Sequence, residues 1–255
     1  MPLEIIQFPC LSDNFGVLIH DAASGHTAAI DAPEAAPIIK ILDEKSWTLT
    51  NIFTTHLHDD HIGGNLELKT KYKCKITGPK AEAASIPGID ETVAEGVTFN
   101  FAGRTVSVID CPGHTLGGIS YYIAAEKLLF AADTLFALGC GRLLEGTPAQ
   151  MWSSLSKLVA LPDDTQVYCG HEYTLANAKF AVTIDPDNVE LAARHEEIKA
   201  MRARSEATLP TNIGLEKRTN PFLRPHDPKI RKLLDMETAT DTEVFAEIRL
   251  RKNNF

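Results

Sequence analysis

Asn51-Ile-Phe-Thr-Thr-His56-Leu-His58-Asp59-Asp60-His61-Ile-Gly63-Gly64 is the stretch from which the rest of the chain can be read. A short apolar run enters a polar cluster, and two glycines open what reads as a helix. A loop at a strand end exposes its side chains while the scaffold fixes their backbone. On an extended backbone His56 and His58 point to the same side. Asp60 and His61, one turn further on, can face a second point nearby. Imidazole and carboxylate together suit zinc, iron or manganese better than calcium or magnesium. The chain holds nine histidines, and three fall within this cluster beside an aspartate, a density that an ordinary solvated turn does not explain. Four potential ligands in six residues also exceed what one ion takes from a single loop.

Further ligand types stand just beyond other apolar runs. His114 follows Ile109-Asp-Cys-Pro-Gly113, Asp133 follows Leu129-Phe-Ala-Ala132, and His171 follows Val167-Tyr-Cys-Gly170. Each alone reads more naturally as structural. With the first cluster they make seven ligands, which is what two adjacent metals want if one carboxylate bridges them and water fills the remaining positions.

The surrounding texture divides in two. Up to about Gly170, β-branched runs alternate with Gly, Pro, Asn and Asp, giving strand expectations at Val17–Ile19, Thr27–Ile30, Asn51–Thr54, Thr105–Ile109, Ser120–Ile123, Lys127–Ala131 and Gln166–Cys169. Helices are expected at Pro37–Lys45 and Pro148–Val159. In the latter, Thr147 is the N-cap, Pro148 the first helical residue, and Met151, Trp152, Leu155, Leu158 and Val159 one face. After about Glu172 strand-like runs vanish. Asn188–Ala203 reads as a long helix and Ile230–Asp235 as a short one. Thr240 with Glu243 forms a capping box, ahead of an apolar face of Val244, Phe245 and Ile248. A mixed α/β domain at 1-172 and a helical domain at 173-255 are expected.

Composition bounds the partners. At 255 residues, 44% hydrophobic and 23% charged, the chain has an ordinary globular balance and length for a sizeable core. A net charge of -9 argues against a nucleic-acid partner, and an anionic substrate then needs a local basic patch. The five cysteines, Cys10, Cys74, Cys111, Cys140 and Cys169, contain no C-x-x-C pair and read as reduced thiols. Cys111 and Cys169 read as core packing. No targeting or membrane-spanning segment is recognisable, so a cytoplasmic, membrane-free protein is expected.

The motifs Thr54-Thr-His-Leu-His-Asp-Asp-His61, Pro112-Gly-His-Thr115, Ala132-Asp-Thr134, Gly139-Cys-Gly-Arg142, Gly170-His-Glu-Tyr-Thr174 and Thr219-Asn-Pro-Phe-Leu-Arg224 resemble the metallo-β-lactamase superfamily. Within it the chain is similar to the glyoxalase II (hydroxyacylglutathione hydrolase) family over essentially its whole length. That resemblance implies an αββα sandwich with a C-terminal helical domain. It implies that His56, His58 and His114 hold one metal, and Asp60, His61 and His171 a second, with Asp133 bridging. Zinc is the expected metal, and the same donors accept iron or manganese. The implied reaction is hydrolysis of S-D-lactoylglutathione and related 2-hydroxyacylglutathiones to glutathione and the 2-hydroxy acid, the second step of methylglyoxal detoxification. It runs through a hydroxide shared by the metals and oriented by Asp60. Arg142, Tyr173, Asn177, Arg249 and Lys252 are the implied glutathione ligands. Arg249 and Lys252 stand three apart on the last helix, on one face. A monomer is expected. One departure is Leu144, where the family often carries an aromatic residue, and somewhat weaker thioester binding follows. A second reading, a glutathione persulfide dioxygenase with a single iron, fits the histidine cluster but not the complete second ligand set or the cationic tail.

Overall fold

A computed structural model describes residues 2–255, which divide into two compact units: residues 2–110 with 115–130, and residues 111–114 with 131–255.

The first unit is built on a six-stranded sheet of β1 (Glu4–Cys10), β2 (Asn14–Asp21), β3 (His26–Ile30), β4 (Asn51–Phe53), β5 (Lys75–Pro79) and β6 (Glu91–Val93), in that spatial order. The pairs β1–β2 and β2–β3 are antiparallel; β3–β4, β4–β5 and β5–β6 are parallel. Parallel neighbours need a crossover. It is supplied by α1 (Ala35–Lys45) between β3 and β4, and by α2 (Asp59–Ile62) with α3 (Asn65–Tyr72) between β4 and β5. Alternation along β4 sets the layers. Ile52 belongs to a buried cluster with Ile38 and Leu42 of α1, Leu68 of α3, and Leu18 and Ile76 of the sheet. Phe53, pointing the other way, packs its ring against Phe99, Phe101 and Tyr121. Those rings come from a second, antiparallel sheet, whose strands here are β7 (Thr98–Phe101), β8 (Arg104–Asp110), β9 (Ile119–Ile123) and the start of β10 (Leu128–Ala132).

In the second unit the end of β10 is followed by the hairpin of β11 (Leu135–Phe136) and β12 (Gly139–Cys140), then α4 (Pro148–Val159) and β13 (Gln166–Cys169). Helices α5 (Thr174–Ile184) and α6 (Val189–Ala203) bury Ala178, Ala181, Leu191 and Ile198 together. After β14 (Thr211–Asn212), which pairs with β13, come α7 (Ile213–Thr219), α8 (Pro228–Leu233) and α9 (Asp241–Asn253). Thr147 and Thr240 both form complete capping boxes, and Asn188 caps α6. Val244, Phe245 and Ile248 are buried, each burial stabilising by about 1.5–3 kcal/mol.

All seven expected strands exist, and the expected helices stand at or near their positions. Three readings need correction. Strand does not vanish after Glu172, because Thr211–Asn212 extends the sheet by pairing with Gln166–Val167. The helix expected at Ile230–Asp235 starts two residues earlier, since Asp227 accepts the Lys229 N–H as a cap and Pro228 opens the turn. Asp60 and His61 stand not on an open loop but on the one-turn helix α2. Among the described residues, no helix is long and apolar enough to cross a membrane.

Candidate metal centre and substrate pocket

In the first unit the parallel register of β3 and β4 aligns Ile30 with Phe53, so the residues just beyond both strands meet. Asp31, beyond β3, accepts the Thr55 N–H at 2.7 Å on Oδ1. Its Oδ2 accepts the Thr55 hydroxyl at 2.8 Å and the His61 Nδ1–H at 2.8 Å. Thr55 thus spends its hydroxyl proton on Asp31, leaving its oxygen to accept from His56 Nδ1 at 3.0 Å. Both rings therefore turn Nε2 lone pairs outward, an arrangement common around metal-binding histidines. His56 Nε2 and His58 Nδ1 converge to 3.0 Å, and His61 Nε2 lies 3.7 Å from Asp60 Oδ2. The Asn14 amide donates to Asp60 Oδ2 at 3.0 Å and to its carbonyl at 3.1 Å, fixing the carboxylate. Asp31, His56 and His61 are close enough to be a ligand trio themselves. Asp31 does not read as a ligand, because both its oxygens already accept protein donors.

In the second unit His114 Nδ1 lies 2.7 Å from the Arg142 carbonyl. A carbonyl only accepts, so Nδ1 carries the proton and Nε2 presents its lone pair. That Nε2 faces Asp133 Oδ2 at 3.5 Å, and His171 Nε2 faces the same oxygen at 3.2 Å. Two lone-pair atoms this close repel unless a proton or a cation lies between them. Ligand atoms on one tetrahedral zinc stand about 3.3 Å apart, given bonds of about 2.0–2.1 Å. The donor set therefore fits divalent cations, with Asp133 Oδ2 near both imidazole nitrogens. Tyr173 stacks on His171 with ring centres 4.7 Å apart, and Phe136 meets both rings edge-on.

One cavity of about 450 Å³ in this unit is lined by Arg142, Tyr173, Asn177, Arg249 and Lys252, together with His114 and Asp133. All five sequence-predicted glutathione residues thus lie on one concavity. Their individual settings differ. Arg249 is 7% exposed, donates from Nη1 to the Cys140 carbonyl at 3.0 Å and lies over the Phe222 ring. Lys252 donates to the Ala176 carbonyl at 3.0 Å and sits over the Phe180 and Phe255 rings. Burial, and secondarily the neighbouring Arg249, bring its ammonium down to about 8. Asn177 spends its amide on the Ala137 carbonyl at 3.1 Å. Leu144 lines the same cavity and is 56% exposed.

Sequence reading passed over Asp31, Asn14 and Phe136, and named Cys140 only as a thiol and a motif member. Asp31 carries the signal that found Asp133, a carboxylate immediately after an apolar run. Phe136 carries none. All five cysteines are free and buried. Burial pushes the thiols of Cys140 up to about 11 and of Cys169 higher still, as suits packing residues.

A family model described as Hydroxyacylglutathione hydrolase C-terminus matches residues 172–255, and one described as Metallo-beta-lactamase superfamily matches residues 16–171. The chain is 59% identical over 254 residues to a hydroxyacylglutathione hydrolase of Rhizobium etli, covering 100% of this chain and 99% of that protein. It is 60% identical over 253 residues to that of Rhizobium meliloti, covering 99% of each. Among solved structures, ETHE1 from Myxococcus xanthus aligns with a TM-score of 0.70 at 25% identity, over 99% of this chain and 92% of that one. The BLEG-1 B3 metallo-beta-lactamase aligns with a TM-score of 0.66 at 22% identity, over 87% of this chain and 100% of that one. The fold is the one expected from the motifs, mixed α/β sheets of the metallo-beta-lactamase type with a helical C-terminal part.

Proposed function

The chain belongs to the hydroxyacylglutathione hydrolase family of the metallo-beta-lactamase superfamily, and from that premise we propose which residues carry its reaction. It is a thioester hydrolase that converts 2-hydroxyacylglutathiones, S-D-lactoylglutathione foremost, to glutathione and the 2-hydroxy acid, the second step of methylglyoxal detoxification. Water adds to the thioester carbonyl carbon, the C–S bond breaks, and glutathione leaves as its thiolate. Full-length identity to named hydrolases carries this reading, and the cationic cavity of Arg142, Arg249 and Lys252 supports it.

The fold and the histidine–aspartate clusters suit two divalent cations. His56, His58 and His114 would hold the first, Asp60, His61 and His171 the second, and Asp133 both, with zinc the expected ion. Bound cations supply hydroxide at neutral pH, lowering the pKa of water to about 7 from about 15.7, and charge to stabilise the developing oxyanion. The protein's part is orientation. Asp31 holds the His61 proton on Nδ1 directly and that of His56 through Thr55. Asp60, fixed by Asn14, accepts a hydrogen bond from the attacking oxygen and keeps its lone pair turned to the carbonyl. The Arg249 and Lys252 cations, with Arg142, Tyr173 and Asn177, bind the glutathione half, whose two carboxylates this acidic chain could not otherwise hold.

The same reading divides the chain into a catalytic part at 1–172 and a helical, glutathione-binding part at 173–255. It makes the protein a cytoplasmic monomer that meets neither nucleic acid nor membrane.

The test is a kinetic split. Arg249→Ala raises KM for S-D-lactoylglutathione by about tenfold or more, the loss of a charge-assisted contact. His58→Ala lowers kcat by orders of magnitude. Both hold without oxygen. Turnover that needed oxygen would favour the persulfide dioxygenase reading instead.

A further inference from the structure

The motif Thr219-Asn-Pro-Phe-Leu-Arg224 has no part in the chemistry above, yet its first residues reach the substrate cavity's wall. That wall is the hairpin of β11 and β12. Its strands are two residues each, and its turn holds Leu138 at φ 57. A hairpin this short does not hold itself, and a non-glycine residue in left-handed backbone costs about 1–2 kcal/mol. Side chains from the helical segments supply the missing bonds. Asn220 Nδ2 donates to the Phe136 carbonyl at 3.2 Å and to the Gly139 carbonyl at 3.0 Å, spanning the turn. Glu216 Oε2 accepts the Leu138 N–H at 2.8 Å and the same Asn220 amide at 3.1 Å.

Glu216 and Asn220 are wholly buried. Arg194 donates from Nη2 to Glu216 Oε1 at 2.5 Å, from the same nitrogen to the Thr211 hydroxyl at 3.0 Å, and from Nη1 to that of Thr219 at 2.6 Å. The Thr211 hydroxyl in turn donates to Glu216 Oε1 at 2.6 Å. A buried ion pair of this kind is poor evidence of stability gain, since apolar residues of equal volume often do as well. What apolar residues cannot do is fix peptide groups at set positions. The clasped hairpin presents Phe136 to the His171 and Tyr173 rings, and the Cys140 carbonyl to Arg249. The other end of the motif completes the link. Asn220 Oδ1 accepts the Phe222 N–H at 3.0 Å, and the Phe222 ring lies 5.2 Å beneath the Arg249 guanidinium.

We propose that Glu216 and Asn220 are positioning residues for glutathione recognition: they clasp the β11–β12 hairpin so that Phe136 and Arg249 stand in register for the substrate's peptide half. The proposal rests on the hydrolase reading above. It acts through the cavity wall, and because Phe136 also meets the His171 ring, a substrate with the glutathione half and one without it are needed to separate binding from chemistry at the thioester.

The experiment uses the full-length, metal-loaded protein and its Asn220→Ala variant. Binding of S-methylglutathione is measured by calorimetry, and turnover on S-D-lactoylglutathione and on the lactoyl thioester of N-acetylcysteamine, which lacks glutathione's carboxylates. The expected result is a rise of about fivefold in both Kd for S-methylglutathione and KM for S-D-lactoylglutathione, as for one lost hydrogen bond. Turnover of the truncated thioester stays within about twofold of wild type. If Asn220→Ala does not fold, Asn220→Ser carries the same readouts, since Kd and KM do not depend on the folded fraction. An unchanged Kd in a folded variant, or equal losses on both thioesters, overturns the positioning role while leaving the hydrolase reading intact. A wild-type chain that hydrolyses neither thioester overturns both.

Discussion

Asp31 shows what one side chain contributes when it touches no substrate. Its backbone lies in the left-handed region, at φ 56, directly after β3, and its two oxygens fix Thr55 and His61. Asn tolerates that backbone region, so Asp31→Asn changes the chemistry without straining the chain. The substituted amide presents N–H groups where His61 and Thr55 now donate. Metal affinity should fall by about 10–100-fold, the usual effect of losing such a partner. A competitive metal titration checks this, and equal affinities would mean that Asp31 merely packs. Lys252 gives a second prediction. Its pKa of about 8 means the ammonium is present below pH 8 and lost above it. Arg249 from the same helix and Arg142 from the facing loop line the cavity with it. For S-D-lactoylglutathione, kcat/KM should therefore decline as pH rises through about 8. In Lys252→Arg that decline should disappear, because the guanidinium stays charged. A decline of the same size in both proteins would assign it to another group.

Elements were legible where local chemistry agrees with tertiary need. Helix α4 announces itself by Thr147 and Pro148 and α9 by its capping box, and the structure forms complete boxes at both, with Gln150 the partner at α4. Thr240→Ala should lower stability by about 0.5–2 kcal/mol through the lost cap, visible as a lower Tm with KM little changed. A Tm equal to wild type would show that α9 is held by Phe245 and Ile248 alone. Elements were missed where context overrides pattern. α5 buries the polar Thr174 and Asn177 beside Ala178, Phe180, Ala181 and Ile184 and exposes Ala176, so polarity does not trace its period. β5 ends in Gly78-Pro79, which reads locally as a turn, yet its neighbours on both sides are parallel strands that hold it. β11, β12 and β14 are two residues each, below the length at which alternation means anything.

At the scale of the molecule, the ligand types were readable because each stands beyond an apolar strand, and strand ends are where such a scaffold exposes side chains. The motifs also carried the family and hence the sandwich. What stayed hidden was the support. Asp31 beneath the histidines and the Glu216–Asn220 clasp behind the cavity act through hydrogen bonds between residues far apart in sequence, 30 positions for Asp31 and His61 and 78 for Leu138 and Glu216. A chain of net charge -9 also concentrates three cations, Arg142, Arg249 and Lys252, on one cavity, which no bulk composition reveals and which the proposed doubly anionic substrate requires. All of this presumes divalent ions held by His56, His58, Asp60, His61, His114, Asp133 and His171. The decisive measurement is elemental analysis of the purified chain before and after chelation, alongside its hydrolysis of S-D-lactoylglutathione. Two divalent ions per chain, with turnover lost on their removal and regained on their return, is the expected result. Undiminished hydrolysis by the metal-stripped chain would contradict it.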